Sequence, residues 1–216
     1  MALPVLYSFR RCPYAMRARL AIASAGYRCE LREIVLRDKA PEFVEASPKA
    51  TVPVLVTAEG LVVEESLDVM QLVLGEHDPE NWLTPQQGDL QAMHRLIAEC
   101  DGPFKRALDR YKYSTRYEDA DPRAEREAGA AFLRKLDARL EGHAFLFGDV
   151  VSLADMAIAP FVRQFAHTDK AWFDRQPWPQ LHRWLADFLK SERFKAIFRK
   201  YPKWENGDPV TVFPEP

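Results

Sequence analysis

Cysteine is scarce in this chain: only Cys12, Cys29 and Cys100 occur, and their spacing matches neither a disulfide framework nor a zinc site. Three thiols cannot all pair with one another, so a reducing, cytoplasmic setting is expected. The five histidines, His77, His94, His143, His167 and His182, never stand one helical turn from each other or from a cysteine. The commonest metal-ligand pattern is therefore missing, and no metal is expected. An excess of one charge is missing too. With 30 basic and 32 acidic residues the net charge is -2, well mixed along the chain, which leaves no electrostatic footprint for a phosphate backbone and makes nucleic acid an unexpected partner. No run approaches the ~18 apolar residues of a membrane helix, so no membrane partner is expected. The first nine residues lack the charged leader, apolar stretch and small-residue cleavage site of a signal peptide and read as a strand.

What is present is the balance of a water-soluble globular protein, 47% apolar and 29% charged. At 216 residues the chain is long enough for two compact cores. Residues 3–9 form a short apolar run. Cys12-Pro13 then opens a helix with Ala15, Ala18, Ile22 and Ala25 on one stripe, stopped by Gly26. Alternation of Tyr27, Cys29 and Leu31 with Arg28, Glu30 and Arg32 is strand periodicity. A helix-capable stretch follows through Phe43 and Val44, then a strand from Pro53 to Thr57, turned by Glu59-Gly60 into residues 61–64. Residues 66–76 are helical by the spacing of Leu67, Met70, Val73 and Leu74, which completes a β-α-β-α-β-β-α order.

The region after residue 77, with two prolines and no periodicity, reads as a linker over 78–87. Beyond it no strand is expected. Leu90, Met93, Ile97, Cys100 and Phe104 form one long amphipathic stripe, and Ala130, Leu133, Leu136 and Leu140 form another. Ser152-Leu153-Ala154-Asp155 has the form of a capping box, with Asp in place of the usual Glu or Gln, ahead of an apolar helix over 156–165. Further helices are marked by Leu181, Trp184, Leu185 and Phe188 and by residues 194–198, and the Pro-rich tail from Pro202 reads as irregular. The expected organisation is an α/β domain over 1–77, the linker, and an all-helical domain over 88–216 that includes this tail.

Pro13 fits the first position of a helix, where its missing N–H costs nothing, and this makes Cys12 the N-cap. The sulfur is expected to face unpaired backbone N–H groups. Those donors, the positive end of the helix dipole and the neighbouring Arg10, Arg11 and Arg17 favour thiolate over thiol. Cysteine is a poor cap compared with Ser or Asp, so a chemical role is the better reading. Cys29 and Cys100 lie on apolar faces and read as core residues. Position 15, three after Cys12, is alanine, so a mixed disulfide at Cys12 needs an external thiol to release it.

Three segments in order, Cys12-Pro13-Tyr14-Ala15-Met16-Arg17-Ala18-Arg19-Leu20, Thr51-Val52-Pro53-Val54-Leu55 and Glu65-Ser66, resemble the glutathione S-transferase superfamily. The likeness is greatest to its cysteine-type, omega-like and related bacterial members, and Ser152 to Asp155 extends it along essentially the whole chain. The resemblance implies a thioredoxin-like N-terminal domain followed by an all-helical C-terminal domain, with glutathione as co-substrate. Cys12 is then the catalytic residue. Pro53 is expected to be cis, presenting the backbone of Val52 to the cysteinyl part of glutathione like an added strand. Ser66 is expected to hold the γ-glutamyl carboxylate and Glu65 the ammonium. Lys39 is the candidate for the glycyl carboxylate, in a loop one residue shorter than in omega-type members, and Tyr14, beside the nucleophile, is the candidate contact for the bound glutathione or the second substrate. A cleft for the second substrate would draw on Phe9, Arg10, Tyr111 and Tyr113, while Trp172, Trp178, Trp184 and Trp204 read as packing.

A cysteine in the first helix tilts the chemistry toward mixed-disulfide exchange, hence a thiol transferase or reductase. Conjugation of glutathione to hydrophobic electrophiles is the alternative enzyme, and a non-catalytic interaction or regulatory protein is the alternative outside enzymes. The family resemblance also implies a homodimer.

Overall fold

The computed structural model describes residues 2–215. It divides into two compact units, Met1–Glu80 with Ser191–Pro216, and Asn81–Lys190. The first unit opens with β1 (Val5–Ser8), α1 (Pro13–Ala25), β2 (Cys29–Glu33), α2 (Pro41–Ala46), β3 (Val54–Val56), β4 (Val62–Val63) and α3 (Ser66–Glu76), the order expected from the sequence. Gly26, at φ 63°, ends α1 in the left-handed conformation that a side chain resists. Strand β1 runs parallel to β2, with Leu6 opposite Leu31, and antiparallel to β3, with Leu6 opposite Leu55. Strand β4 pairs antiparallel to β3 through a turn at Gly60, φ 85°. Helix α1 packs against α3, and the cluster of Tyr7, Ala15, Ile34, Phe43, Val52 and Val54 forms a core against which Cys12 rests.

In the second unit the long stripe through Phe104 is broken. Helix α4 (Leu90–Glu99) passes through a widened π-helical turn at Cys100–Phe104 into α5 (Lys105–Lys112), because Pro103 brings no N–H to a regular ladder. Helices α6 (Pro122–Arg139), α7 (Leu153–Ala166), α8 (Lys170–Asp174) and α9 (Pro179–Lys190) complete it. Gly129 lets α6 approach α7: a Cβ there would stand 2.5 Å from Phe165. The stretch expected to be a linker is partly core. Trp82 is fully buried and its carbonyl accepts the Leu153 N–H at 2.9 Å, so the unit begins at Asn81. Among the described residues no helix is long and apolar enough to cross a membrane.

After α9 the chain returns to the first unit. Helix α10 (Glu192–Ile197) packs on α1, and β5 (Val212–Phe213) pairs antiparallel to β2, with Cys29 opposite Phe213. The sheet order is thus β4-β3-β1-β2-β5. Both the assignment of 191–216 to the helical part and the reading of the tail as irregular are corrected here. A two-residue strand carries no alternation to detect, whereas the exposed edge of β2 supplies unpaired backbone groups that β5 satisfies. The Phe213-Pro214 peptide, like Val52-Pro53, is cis.

Asp155 is fully buried and accepts four hydrogen bonds, from the Leu146 and Ser152 N–H groups, the Ser152 hydroxyl and the Trp184 indole, at 2.6–3.0 Å. Asp155→Ala strands these donors and is expected to cost at least ~3 kcal/mol in urea unfolding. Burial pushes the Cys29 thiol up from 9.0 to about 12. The unfolded chain therefore releases this proton from about pH 9 while the folded protein keeps it, so stability falls as pH rises through that window. Wild type should lose stability more steeply than Cys29→Ala, by up to ~1.4 kcal/mol per pH unit. Equal slopes would show that Cys29 is not held as a thiol.

Candidate active site

Cys12 caps α1, with Pro13 in the first turn and backbone angles of φ -75° and ψ 122°. Its N–H donates to the Phe9 carbonyl at 3.0 Å and its carbonyl accepts the Met16 N–H at 2.9 Å, so the residue is held by its backbone at the end of a tight turn. The side chain is half-buried, and the thiol donates to the Val52 carbonyl at 3.7 Å. It makes no capping hydrogen bond to the N–H groups of α1, a correction to the orientation expected from the sequence. The carbonyl beside the cis Val52-Pro53 bond takes the thiol proton instead.

Cys12, Tyr14, Lys39, Val52, Pro53, Glu65 and Ser66 all line one cavity of about 460 Å³, where they are joined by Leu36, Ala50, Thr51 and Glu64. Four segments deliver them: the start of α1, the loop between β2 and α2, the connection into β3, and the start of α3. Ala50 adopts φ 48°, an uncommon conformation for a residue with a side chain, in the turn closed by its N–H on the Ser47 carbonyl at 2.8 Å. That turn leads directly into Thr51, Val52 and Pro53.

The polar wall is more specific than the sequence suggested. Glu65 is the N-cap of α3, and Ser66 is the first helical residue. The buried Ser66 hydroxyl accepts a hydrogen bond from Arg17 Nε at 2.9 Å, and Arg17 also lies over the Tyr14 ring, 5.1 Å from its centroid. Because the hydroxyl oxygen accepts from Arg17, its own proton is left to donate elsewhere. Glu65 is exposed and pairs with Lys49 at 2.5 Å, which raises the Lys49 pKa through that hydrogen bond and charge. Glu64 accepts from the Ser47 hydroxyl at 2.5 Å. Lys39 is exposed on the cavity rim.

None of the four residues assigned to a second-substrate cleft lines this cavity. Phe9 lies under the Arg11 guanidinium at 5.6 Å, and Arg10 stacks over Phe198 at 4.7 Å. In the other unit, the Tyr111 ring packs 5.2 Å from that of Phe165, and Tyr113 is flanked by Lys112 and Arg116. Trp178, Trp184 and Trp204 are buried and Trp172 is half-buried. Sequence reading missed the Arg17 bond to Ser66 and the buried pair of Arg19 with Glu33. The available signal was two arginines, Arg17 and Arg19, inside an otherwise apolar helix. Among the described residues no group of three or more His, Cys, Asp or Glu is placed to hold a metal.

A mixed sheet carrying a cysteine at a helix mouth opposite a cis proline, followed by a helical unit, defines a thioredoxin-like protein with an appended α domain. Residues 6–82 match the family "Glutathione S-transferase, N-terminal domain" and residues 97–187 match "Glutathione S-transferase, C-terminal domain". The chain belongs to the glutathione S-transferase superfamily. It is 29% identical to glutathione S-transferase omega-1 of Mus musculus over 198 residues, covering 91% of this chain and 77% of that protein. To maleylacetoacetate isomerase of Rattus norvegicus it is 28% identical over 202 residues, covering 89% and 91%. Among solved structures, a glutathione S-transferase from Methylobacillus flagellatus with glutathione bound matches with a TM-score of 0.76 at 24% identity, covering 90% of this chain and 98% of that one. A family member from Pseudomonas fluorescens with two glutathione molecules bound matches with a TM-score of 0.78 at 17% identity, covering 91% and 92%.

Exposure separates the three thiols, since Cys12 is half-buried while Cys29 and Cys100 are fully buried. Iodoacetamide applied to the native protein at neutral pH should add one label, mapped to Cys12 by peptide mass spectrometry. Labelling of Cys29 or Cys100 without denaturant would contradict this.

Proposed function

We propose that this glutathione transferase superfamily member is a glutathione-dependent thiol transferase or reductase that works through a mixed disulfide at Cys12. The observation that carries the reading is a half-exposed thiol sharing one cavity with the Val52-Pro53 cis peptide and the N-terminus of α3. In the first step the Cys12 thiolate attacks the glutathione sulfur of a glutathionylated substrate. The new bond joins Cys12 to glutathione, and the substrate leaves as thiolate. A second glutathione thiolate then attacks the glutathione sulfur of that mixed disulfide, giving oxidised glutathione and restoring the Cys12 thiolate.

The residues around the sulfur suit such a ligand. The Val52 backbone suits the cysteinyl part as an added strand pairs with a sheet edge, its carbonyl released once the Cys12 thiol ionises. Ser66, with its proton free to donate and the helix N-terminus behind it, suits the γ-glutamyl carboxylate. The exposed Glu65 pair with Lys49 is a weak surface interaction, so the ligand ammonium can share the Glu65 carboxylate at little cost. Lys39 at the rim suits the glycyl carboxylate. The named omega-1 relatives and the glutathione-bound structural relatives support glutathione as the peptide. A homodimer is the proposed assembly.

The test combines retention on immobilised glutathione with reduction of hydroxyethyl disulfide by wild type and Cys12→Ser. Wild type should bind and turn over, and Cys12→Ser should bind but fall to the uncatalysed background. Turnover of aryl halides that survives Cys12→Ser would favour conjugation, and binding without any turnover would favour a scaffold.

A further inference from the structure

The turn over residues 9–12 delivers the nucleophile, and a single buried carboxylate holds it from beneath. Glu33 closes β2 opposite Ser8, and its two oxygens have separate partners. Oε1 accepts the backbone N–H of Arg10 at 2.7 Å, two residues before Cys12. Oε2 pairs with Nη2 of Arg19, whose side chain is completely buried on α1. Arg19 also donates from Nε to the Ser8 hydroxyl at 2.7 Å and from Nη1 to the Ile197 carbonyl at 3.2 Å. The Arg10 side chain reaches the same end of α10, donating to the Phe198 carbonyl at 3.4 Å, while the Glu33 carbonyl accepts the Trp204 N–H at 2.9 Å.

We propose that Glu33 is a positioning residue for the Cys12 chemistry, acting through the Arg10 N–H rather than on the substrate. The inference rests on the function proposed above. A carboxylate-to-amide hydrogen bond is stronger than one between neutral groups, and in a buried site it fixes both the direction and the height of the amide. With Arg10 N–H pinned from below and the Cys12 N–H closed onto Phe9, the turn has little freedom to carry the sulfur away from the Val52 carbonyl. The division of labour between the oxygens matters. Arg19 balances a buried charge, which concerns stability, whereas Oε1 orients the turn, which concerns the reaction.

These two roles come apart experimentally. Arg19→Met removes the charge partner and leaves the Oε1 bond to Arg10, so it should lower the melting temperature while kcat for disulfide exchange stays near wild type. The double variant Arg19→Met with Glu33→Leu replaces the pair by apolar bulk, and should melt above Arg19→Met alone. Its kcat should nonetheless fall by about ten- to a hundredfold, with KM for glutathione held within about twofold. Arg10→Pro deletes the N–H donor and leaves the ion pair in place. It should reproduce the kcat loss and decides the matter if the double variant does not fold. Wild-type kcat in the double variant or in Arg10→Pro, or kcat and KM worsening together in step with melting temperature, would overturn the proposal. If wild type shows no disulfide exchange, the proposed function fails, and Cys12 alkylation rates in the same proteins still read the positioning, with slower alkylation wherever the Oε1 bond is lost.

Discussion

A charge buried without water must find its counter-charge and hydrogen-bond partners inside the protein, and in the first unit that requirement converges on Glu33 and Arg19. The pair joins the end of β2 to the middle of α1, and its outlying hydrogen bonds reach Ser8, Ile197 and the Arg10 amide. Segments nearly the whole chain length apart are therefore tied at one point, directly under the turn that ends in Cys12. A purely apolar core would fill the same volume, but dispersion contacts carry no direction. The ion pair keeps the Glu33 carboxylate buried and charged, and the other carboxylate oxygen gives direction to the Arg10 amide.

Around this anchor the cavity is assembled from backbone as much as from side chains. Cys12 stands at a helix start, Val52 precedes a cis proline, and Ser66 opens a second helix, so three places where the chain leaves regular structure line one cavity. Each offers polar backbone groups that no ladder consumes. The thiol takes the Val52 carbonyl, and Arg17 takes the Ser66 oxygen. The second bond leaves the hydroxyl as a donor, which suits an anionic ligand group. The helical unit is stabilised in the same manner by Asp155, whose carboxylate gathers donors from the loop before α7, from its first turn and from α9.

Much of this was legible in the residues themselves. Pro13 and Gly26 mark the ends of α1, the alternation around Cys29 marks β2, and the spacing of Leu67, Met70, Val73 and Leu74 marks α3, because these signals are local and repeat over a turn or a strand. Residues proposed for one site do line one cavity, since motif order reports the connections of the sheet. What escaped reading was non-local. Strand β5 is too short for a pattern, Trp82 lies in a segment whose prolines suggest a linker, and the π-helical turn at Pro103 interrupts a stripe that continues on either side.

By itself, then, the sequence determined the order of elements from β1 to α3, the separation into a mixed α/β part and a helical part, and the candidacy of Cys12, because periodicity, caps and a cysteine at a helix start are properties of neighbouring residues. Only the tertiary structure decided that the last 26 residues rejoin the first unit, that the thiol turns to the Val52 carbonyl, and that Arg17 and Arg19 serve Ser66 and Glu33. The physical reason is that a hydrogen bond or an ion pair is chosen by which partners folding brings within about 3 Å, and distance along the chain carries no record of that.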